Sequence, residues 1–292
     1  MPGPSRRLNT RRVFRVAIVC AAVTAVVAVW ALSALTLGGQ IIDTLAMIAV
    51  SGFSAYKSAM ISVLHTTISY AGLGAVLIAT VLIAVIRKRW QLAIRAVAIV
   101  AGANITTQLL KTHLFGRPAL LAEWSTPPSL PSGHTTAAAA TAAALVIVVP
   151  VAWRSWAALA GSMWTFFVGI TTVLNDWHRP SDVIAAILVV IAWTVAMAPA
   201  ETGVISAPRV REWMGVCGYG LLLAALVLSG VVAVIARPRV QELTTTAASG
   251  PVRFDLDQWH QIGMIAGLSA TLLTLALSVL AMFWLDSLRR ER

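Results

Sequence analysis

Residues 181–199 read SDVIAAILVVIAWTVAMAP, and Asp182 is the single charged residue in this run. About 20 consecutive apolar residues are enough for a helix to cross the hydrocarbon core of a bilayer. The whole chain has the same character, because 59% of its 292 residues are hydrophobic and only 11% are charged. Soluble domains carry about 25% charged residues. The sequence therefore predicts an all-α, polytopic membrane helical bundle and argues against a large soluble helical domain.

Other apolar runs of similar length predict about eight transmembrane helices in total, since backbone groups in hydrocarbon must be hydrogen-bonded within their own segment. The predicted spans are residues 14–36, 61–86, 91–110, 134–152, 156–175, 181–199, 214–236 and 262–285. The segment 38–60 contains a further apolar stretch, Ile41 to Phe53, which predicts a helix lying along the surface. The chain thus divides into a basic tail (1–13), a six-helix core (14–200) and two additional C-terminal transmembrane helices (201–292).

The lysines and arginines lie mostly between the predicted spans and set their orientation. With the N-terminus inside, 14 of the 22 cations lie in inner segments and 7 in outer ones, while Arg95 lies near the inner end of the third span. This bias predicts a multi-pass protein of the plasma membrane with both termini in the cytoplasm. Because the charge is spread between spans, the net charge of +11 does not form the basic patch that nucleic acids require.

No cofactor or metal is expected from the sequence. Cys20 and Cys217 both lie within predicted spans, which argues against a disulfide framework and against a zinc site. The expected partner is instead a lipid of the surrounding membrane.

Polar residues are concentrated in two predicted outer segments. The first contains KTHLFGRP at 111–118 and PSGH at 131–134, and the second reads NDWHRPSD at 175–182. Both segments lie on the outer side by the charge argument, so we expect them to meet at the extracytoplasmic face. A site formed there would join the start of the fourth span to the start of the sixth.

The first segment has the chemistry of a phosphate site. Lys111 and Arg117 supply positive charge, and the planar guanidinium group matches phosphate oxygens. Ser132 and Gly133 place a hydroxyl and backbone N–H groups at a helix N-terminus, where anions bind readily.

The second segment has the chemistry of a nucleophile. His178 and Asp182 are four residues apart, so they are predicted to face the same side of the first turn of a helix. A carboxylate there can hold one imidazole nitrogen and leave the other to attack. His134 supplies a second imidazole that can act as acid or base near neutral pH.

These residues resemble the three signature motifs of the type 2 phosphatidic acid phosphatase superfamily in order, in the spacing between motifs and in their placement on spans three to six. The matching motifs are Lys111…Arg117-Pro118, Pro131-Ser132-Gly133-His134 and His178-x-x-x-Asp182. The resemblance covers about residues 60–200 and implies a six-helix phosphatase core. It also implies metal-independent catalysis through a phosphohistidine.

Carried over residue by residue, the resemblance gives each side chain a role. His178 would be the nucleophile, Asp182 would orient it, and His134 would protonate the leaving group. The implied phosphate-binding residues are Lys111, Arg117, Ser132 and Gly133.

Two departures separate this sequence from the family pattern. Five residues rather than six lie between Lys111 and Arg117. The third motif of the family begins with Ser-Arg, but the corresponding residues here are Thr171 and Thr172. One phosphate-binding arginine is therefore absent, and Arg179 is the candidate replacement because it adjoins the nucleophile.

The expected function is an integral membrane lipid phosphatase acting on a phosphomonoester or diphosphate of a polyprenyl lipid or a glycerolipid. A lipid phosphotransferase, in which an alcohol replaces water as the acceptor, is the alternative within enzymes. A non-catalytic lipid-phosphate binder or transporter is the alternative that is not an enzyme. It is supported by Thr172, which stands where the family has a phosphate-binding arginine. The combination of His134, His178 and Asp182 favours an enzyme, because binding alone requires neither a nucleophile nor an acid.

Overall fold

Nine α-helices make up most of the described part of the chain. The computed structural model describes residues 4–52, 70–124, 127–198, 201–202, 207–246, 250–288 and 290–291. The helices are α1 Pro4–Leu35, α2 Leu37–Ser51, α3 Tyr70–Ile86, α4 Trp90–Leu109, α5 Gly133–Val148, α6 Arg154–Leu174, α7 Pro180–Met197, α8 Pro208–Thr246 and α9 Leu256–Leu288. A π-helical turn, Leu110–Leu114, extends α4, and a 3-10 turn, Val151–Trp153, precedes α6. Two strands of two residues each, Glu201–Thr202 and Arg290–Glu291, pair in parallel. The predicted all-α class is confirmed.

Six of these helices are long and apolar enough to cross a membrane, which confirms a multi-pass bundle. They correspond to the first, third, fifth, sixth, seventh and eighth predicted spans. The fourth predicted span is shorter than expected, since α5 ends at Val148 ahead of Pro150; proline and the residue before it both disfavour helix continuation. In the second predicted span the helix begins at Tyr70, and residues 61–69 lie outside the described residues.

The helix predicted in segment 38–60 is present as α2, but its position differs from the prediction. Eight of its fifteen residues are buried, and it packs extensively against α9. The expectation that it lies along the surface is therefore wrong for Leu37–Ser51. Apolar residues cover enough of the helix surface for other helices to pack around it. Residues 53–60 lie outside the described residues.

The centre of the bundle is the alanine-rich helix α5, in which 12 of 16 residues are buried. It packs between α4 and α6, because small side chains let neighbouring helix backbones approach closely. Gly169 on α6 serves the same purpose beside α7: a Cβ added there would lie 2.7 Å from Cγ1 of Val183. The helices that carry the predicted site are thereby held in close contact.

Arginine side chains satisfy the C-terminal carbonyl groups of α5 and α7 at one end of the bundle. Arg87 donates to the carbonyl of Val148, and Arg95 donates to that of Met197. Such contacts pair orphan carbonyls with positive charge at the negative end of the helix dipole. The N-termini of α5 and α7 consequently lie together at the opposite end of the bundle.

Candidate active site

The turn between α6 and α7 fixes the backbone of His178. Asp176 adopts a left-handed conformation with φ of 59°, and its N–H donates to the carbonyl of Val173 at 3.0 Å. The N–H groups of Trp177 and His178 both donate to the carbonyl of Thr172, at 3.0 and 3.2 Å. This is the hydrogen-bond pattern of a Schellman helix end, in which the left-handed residue is usually glycine. Aspartate is one of the few other residues that adopt this conformation.

His178 lies immediately before α7, whose N-cap is Arg179 and whose first residue is Pro180. The prediction that His178 belongs to the first helical turn is wrong, since proline at the first helical position marks the helix start one residue after the cap. The predicted contact is nevertheless made: Nδ1 of His178 lies 3.1 Å from Oδ2 of Asp182. Because a carboxylate only accepts hydrogen bonds, Nδ1 carries the proton and Nε2 is the nitrogen available for attack.

Three donors converge on one oxygen of Asp182, a residue that is only 2% exposed. Besides His178, Oδ2 accepts from Oγ of Ser129 at 2.6 Å and from the backbone N–H of Arg179 at 3.0 Å. The carboxylate is thereby held in one orientation, and the imidazole with it.

The N-terminus of α5 meets the N-terminus of α7. Ser132 is fully buried and caps α5, since its Oγ accepts from the N–H of Thr135 at 3.3 Å. The N–H of Ser132 donates to the carbonyl of Asp182 at 2.9 Å. Two positive helix-dipole ends therefore converge, a favourable setting for an anion. Ser132 was expected to bind phosphate through its hydroxyl; in this structure the hydroxyl serves as the helix cap, and Gly133 is the first residue of α5.

His134 is exposed and lies beside the nucleophile candidate. Its ring centroid is 6.2 Å from that of His178 and 5.7 Å from that of Trp177. The two histidines that the sequence predicts to act together therefore share one end of the bundle.

Three cations surround the same region. Lys111 lies on the π-helical turn after α4, a distortion common at functional sites. Arg179 is 4% exposed, and its Nη2 donates to the carbonyl of Trp124 at 3.2 Å. Nε of Arg179 and Nη2 of Arg117 are buried and have no hydrogen-bond partner among the described residues. Partial burial and the neighbouring charge of Arg179 lower the pKa of Arg117. Two adjacent guanidinium groups of this kind are suited to hold an anion.

Thr172, which stands where the family has an arginine, has a structural role instead. Thr172 is fully buried and donates from its hydroxyl to the carbonyl of Gly169 at 2.8 Å, and Thr171 donates likewise to Phe167 at 2.7 Å. Both hydroxyls are therefore engaged with the backbone of α6 and do not substitute for a guanidinium group.

A cavity of about 630 Å³ joins the polar groups to an apolar wall. His178, Arg179 and Lys111 contribute polar groups to its lining, and α2 and the loop before α5 contribute further residues. The apolar wall consists of Met47, Ile48, Trp124, Pro127, Pro128 and Trp177. Arg117 and Asp182 line a much smaller adjoining pocket with Ser129.

Sequence reasoning missed several of these neighbours. Ser129 and the carbonyl of Trp124 contact Asp182 and Arg179 only through tertiary structure, and nothing local distinguishes them. Asp43 on α2, which contacts the start of α7, did carry a signal, since it is the one charged residue in Leu37–Ser51.

Part of the chain matches a known protein family. Residues 92–202 match the model of the PAP2 superfamily. We call residues 92–202 the PAP2 segment. Proteins of this superfamily are phosphatase-type hydrolases of phosphoesters, lipid phosphoesters included. No curated protein and no solved structure matches the chain. The PAP2 segment contains every predicted site residue but excludes α1, α2, α3, α8 and α9.

Proposed function

We propose that the protein hydrolyses a phosphomonoester or diphosphate of a membrane lipid, at the extracytoplasmic face, through a phosphohistidine on His178. The observation that carries this proposal is the contact of His178 Nδ1 with Asp182, which leaves Nε2 available in a cavity shared with Lys111 and Arg179. Binding alone would not require an oriented imidazole beside a second imidazole.

The reaction would proceed in two displacements. In the first, Nε2 of His178 forms a bond to phosphorus while the bond from phosphorus to the ester oxygen breaks, and His134 donates a proton to that oxygen. In the second, His134 takes a proton from water as the water oxygen attacks phosphorus, the P–N bond breaks, and inorganic phosphate leaves. Asp182 stabilises the positive charge that the imidazole acquires when it is phosphorylated.

Charge at the site supports a phosphorylated substrate. The convergent N-termini of α5 and α7 and the buried nitrogens of Arg117 and Arg179 offer hydrogen bonds and positive charge in one place. The transferred phosphoryl group carries its charge on its oxygens, so catalysis of this kind depends mainly on such positioning and charge.

The apolar wall supports a lipid substrate. A phosphate held by Lys111 and Arg179 would place the adjoining part of the substrate against Met47, Ile48 and Trp124. Candidate lipids are polyprenyl diphosphate, phosphatidic acid, phosphatidylglycerol phosphate and a polyprenyl-linked sugar phosphate. The distribution of cations supports an extracytoplasmic location for this end of the bundle.

Release of inorganic phosphate by the purified protein, from these lipids in mixed micelles and with a metal chelator present, tests the proposal. We expect release that the chelator does not reduce. Transfer of the phosphoryl group to an added alcohol without release to water would favour a phosphotransferase, and saturable lipid binding without turnover would favour a binder.

His134 is expected to matter more for poor leaving groups than for good ones. A lipid alkoxide needs a proton as it departs, whereas an activated aryl phosphate does not, and general acid catalysis contributes about 10²–10⁴-fold. His134→Ala should therefore lower kcat/KM, which reports the first displacement, far more for the lipid than for the aryl phosphate. Equal losses on the two substrates would show that His134 only positions phosphate.

Arg179→Ala is expected to lower turnover about tenfold to a hundredfold, since a charge-assisted contact in a partly desolvated site is worth roughly 1.5–3 kcal/mol. The side chain is buried, so it is not an interfacial cation turned to headgroups. Steady-state kinetics of Arg179→Ala and Arg117→Ala should show similar losses. Arg253→Ala is the matched control, because Arg253 is an exposed arginine beside Glu123 and should cost little. A rate for Arg179→Ala equal to that of the control would remove Arg179 from the site.

A further inference from the structure

Asp43 is a buried acid on α2 that contacts the start of α7. It is 8% exposed, and its two carboxylate oxygens bind one residue: Oδ1 accepts from the N–H of Ser181 at 3.1 Å, and Oδ2 accepts from the hydroxyl of Ser181 at 2.6 Å. Neither residue belongs to the sets that the three sequence motifs assign. Asp43 also lies outside the PAP2 segment.

The N–H groups in the first turn of α7 need a hydrogen-bond acceptor from outside the helix. N–H groups at a helix N-terminus have no acceptor within the helix, and the N-cap side chain usually supplies one. The N-cap of α7 is Arg179, whose guanidinium group is a donor and accepts no hydrogen bond. Two carboxylates act in its place: Asp182 accepts from the N–H of Arg179, and Asp43 accepts from that of Ser181. The second of these comes from a different helix.

We propose that Asp43 is a positioning residue of the active site. By binding Ser181 from α2, it fixes the turn that holds His178, Arg179 and Asp182 in their mutual geometry. The catalytic consequence rests on the proposed phosphatase function. The structural consequence, an ordered anion site at the start of α7, does not.

The same face of α2 continues into the wall of the catalytic cavity. Met47 and Ser51 lie one and two turns after Asp43, and both line that cavity. α9 packs tightly behind: a Cβ added to Gly267 would lie 3.0 Å from Cβ of Ala49. The C-terminal helices therefore pack against α2 and stabilise its position. In this way, parts of the chain outside the PAP2 segment contribute to the catalytic geometry.

Comparison of two substitutions separates hydrogen bonding from charge. In Asp43→Asn the amide oxygen can accept from the N–H of Ser181, and the amide N–H₂ can donate to its hydroxyl, so both contacts survive without the charge. In Asp43→Ala both are lost. Thr44→Val is the matched control, since Thr44 is a fully buried neighbour on α2 whose hydroxyl has no partner among the described residues.

We expect Asp43→Ala to lower kcat about tenfold to a hundredfold, as misplacement of reacting groups by about 1 Å can do. Asp43→Asn should stay within about threefold of the wild-type kcat, and Thr44→Val within about twofold. If Asp43→Ala does not accumulate as folded protein, Ser181→Ala removes one of the two contacts and should lower kcat by a few-fold. Asp43→Ala or Ser181→Ala at the control rate would overturn the proposal, and so would equal losses in Asp43→Asn and Asp43→Ala.

A second readout responds to the charge of Asp43, which a purely structural role would not affect. Burial and the charge of Asp182 raise the pKa of Asp43 to about 6. The charged groups that face it are Asp182 on α7, Arg179 at the N-cap of α7, and Arg117 in the loop after α4. Above about pH 6 the ionised carboxylate should weaken binding of an anion at the guanidinium groups, and below that pH the neutral acid should not.

Titration calorimetry with inorganic phosphate measures this effect without turnover. The ratio of Kd for the wild type to Kd for Asp43→Asn should be near one at pH 5 and should rise about threefold to tenfold by pH 7.5. The titrations of phosphate and of the histidines are common to both proteins and cancel in the ratio. A ratio that stays flat would contradict the placement of the Asp43 carboxyl beside the anion site.

The same calorimetry separates the two proposals. The comparison is made at pH 5, where the Asp43 carboxyl is neutral and its charge does not affect Kd. If the wild type releases phosphate from no lipid, but Asp43→Ala binds inorganic phosphate at pH 5 more weakly than Thr44→Val does, the phosphatase proposal fails while the role of Asp43 stands. If the wild type is active and Asp43→Ala matches Thr44→Val in kcat and in Kd at pH 5, only the role of Asp43 fails.

Discussion

His178→Ala should abolish phosphate release, with a loss of more than about 10⁴-fold in kcat, because it removes the nitrogen proposed to attack phosphorus. Nε2 of His178 is the nitrogen left available by the contact of Nδ1 with Asp182. The covalent label transferred from a ³²P-phosphorylated substrate should disappear together with turnover. Single-turnover reactions quenched in base, followed by a test of the label's loss in acid, would measure both quantities.

His134→Ala is the informative control for this experiment. It retains the nucleophile but lacks the group that activates water in the second displacement, so with an aryl phosphate the label should form and then accumulate. His178→Ala should show no label with either substrate. Wild-type turnover in His178→Ala would mean that the proposed mechanism is wrong, and a label that persists in that variant would place the nucleophile on another residue.

Much of the fold could be predicted because the bilayer leaves few options for an apolar chain. Runs such as 181–199 must be helices, and alternation of the spans then assigns each loop to one end of the bundle. Two polar segments assigned to one end were expected to meet, and the ring centroids of His134 and His178 lie 6.2 Å apart. The lengths were less predictable, because Pro150 shortens α5 and hydropathy alone does not locate that boundary.

The remaining members of the site depend on tertiary contacts that sequence spacing does not encode. Ser129 donates to Asp182 from a loop that also contains Ser125 and Thr126, and nothing in the sequence ranks one hydroxyl above the others. Asp43 was noticeable as a lone acid in an apolar stretch, but its partner Ser181 is 138 residues away. The distribution of cations predicts that Arg179 lies on the outer side, but it does not distinguish an interfacial side chain from a buried one.

Asp182→Asn should lower the rate of phosphohistidine formation by about 10²–10³-fold. Oδ2 of Asp182 accepts from three donors, namely the hydroxyl of Ser129, the N–H of Arg179 and Nδ1 of His178. Convergence of three donors favours the amide oxygen of asparagine at the same place, so the tautomer of His178 should be retained. The charge is lost, however, and hydrogen bonds to a neutral acceptor are about half as strong as those to a carboxylate. The positive charge that develops on the phosphorylated imidazole would therefore be less stabilised.

The same geometry ranks three further substitutions at Asp182 and at two residues that contact it. Asp182→Ala should be more damaging than Asp182→Asn, because it leaves all three donors without an acceptor and removes the partner of the N–H of Arg179 at the start of α7. Ser129→Ala removes only one donor and should cost about threefold to tenfold. Ser132→Ala removes a helix cap and should lower the thermal midpoint more than the rate of phosphorylation. Single-turnover phosphorylation rates and thermal unfolding of the four variants would establish this order. A phosphorylation rate for Asp182→Asn within tenfold of the wild type would show that the carboxylate acts by geometry alone, without stabilising charge on His178.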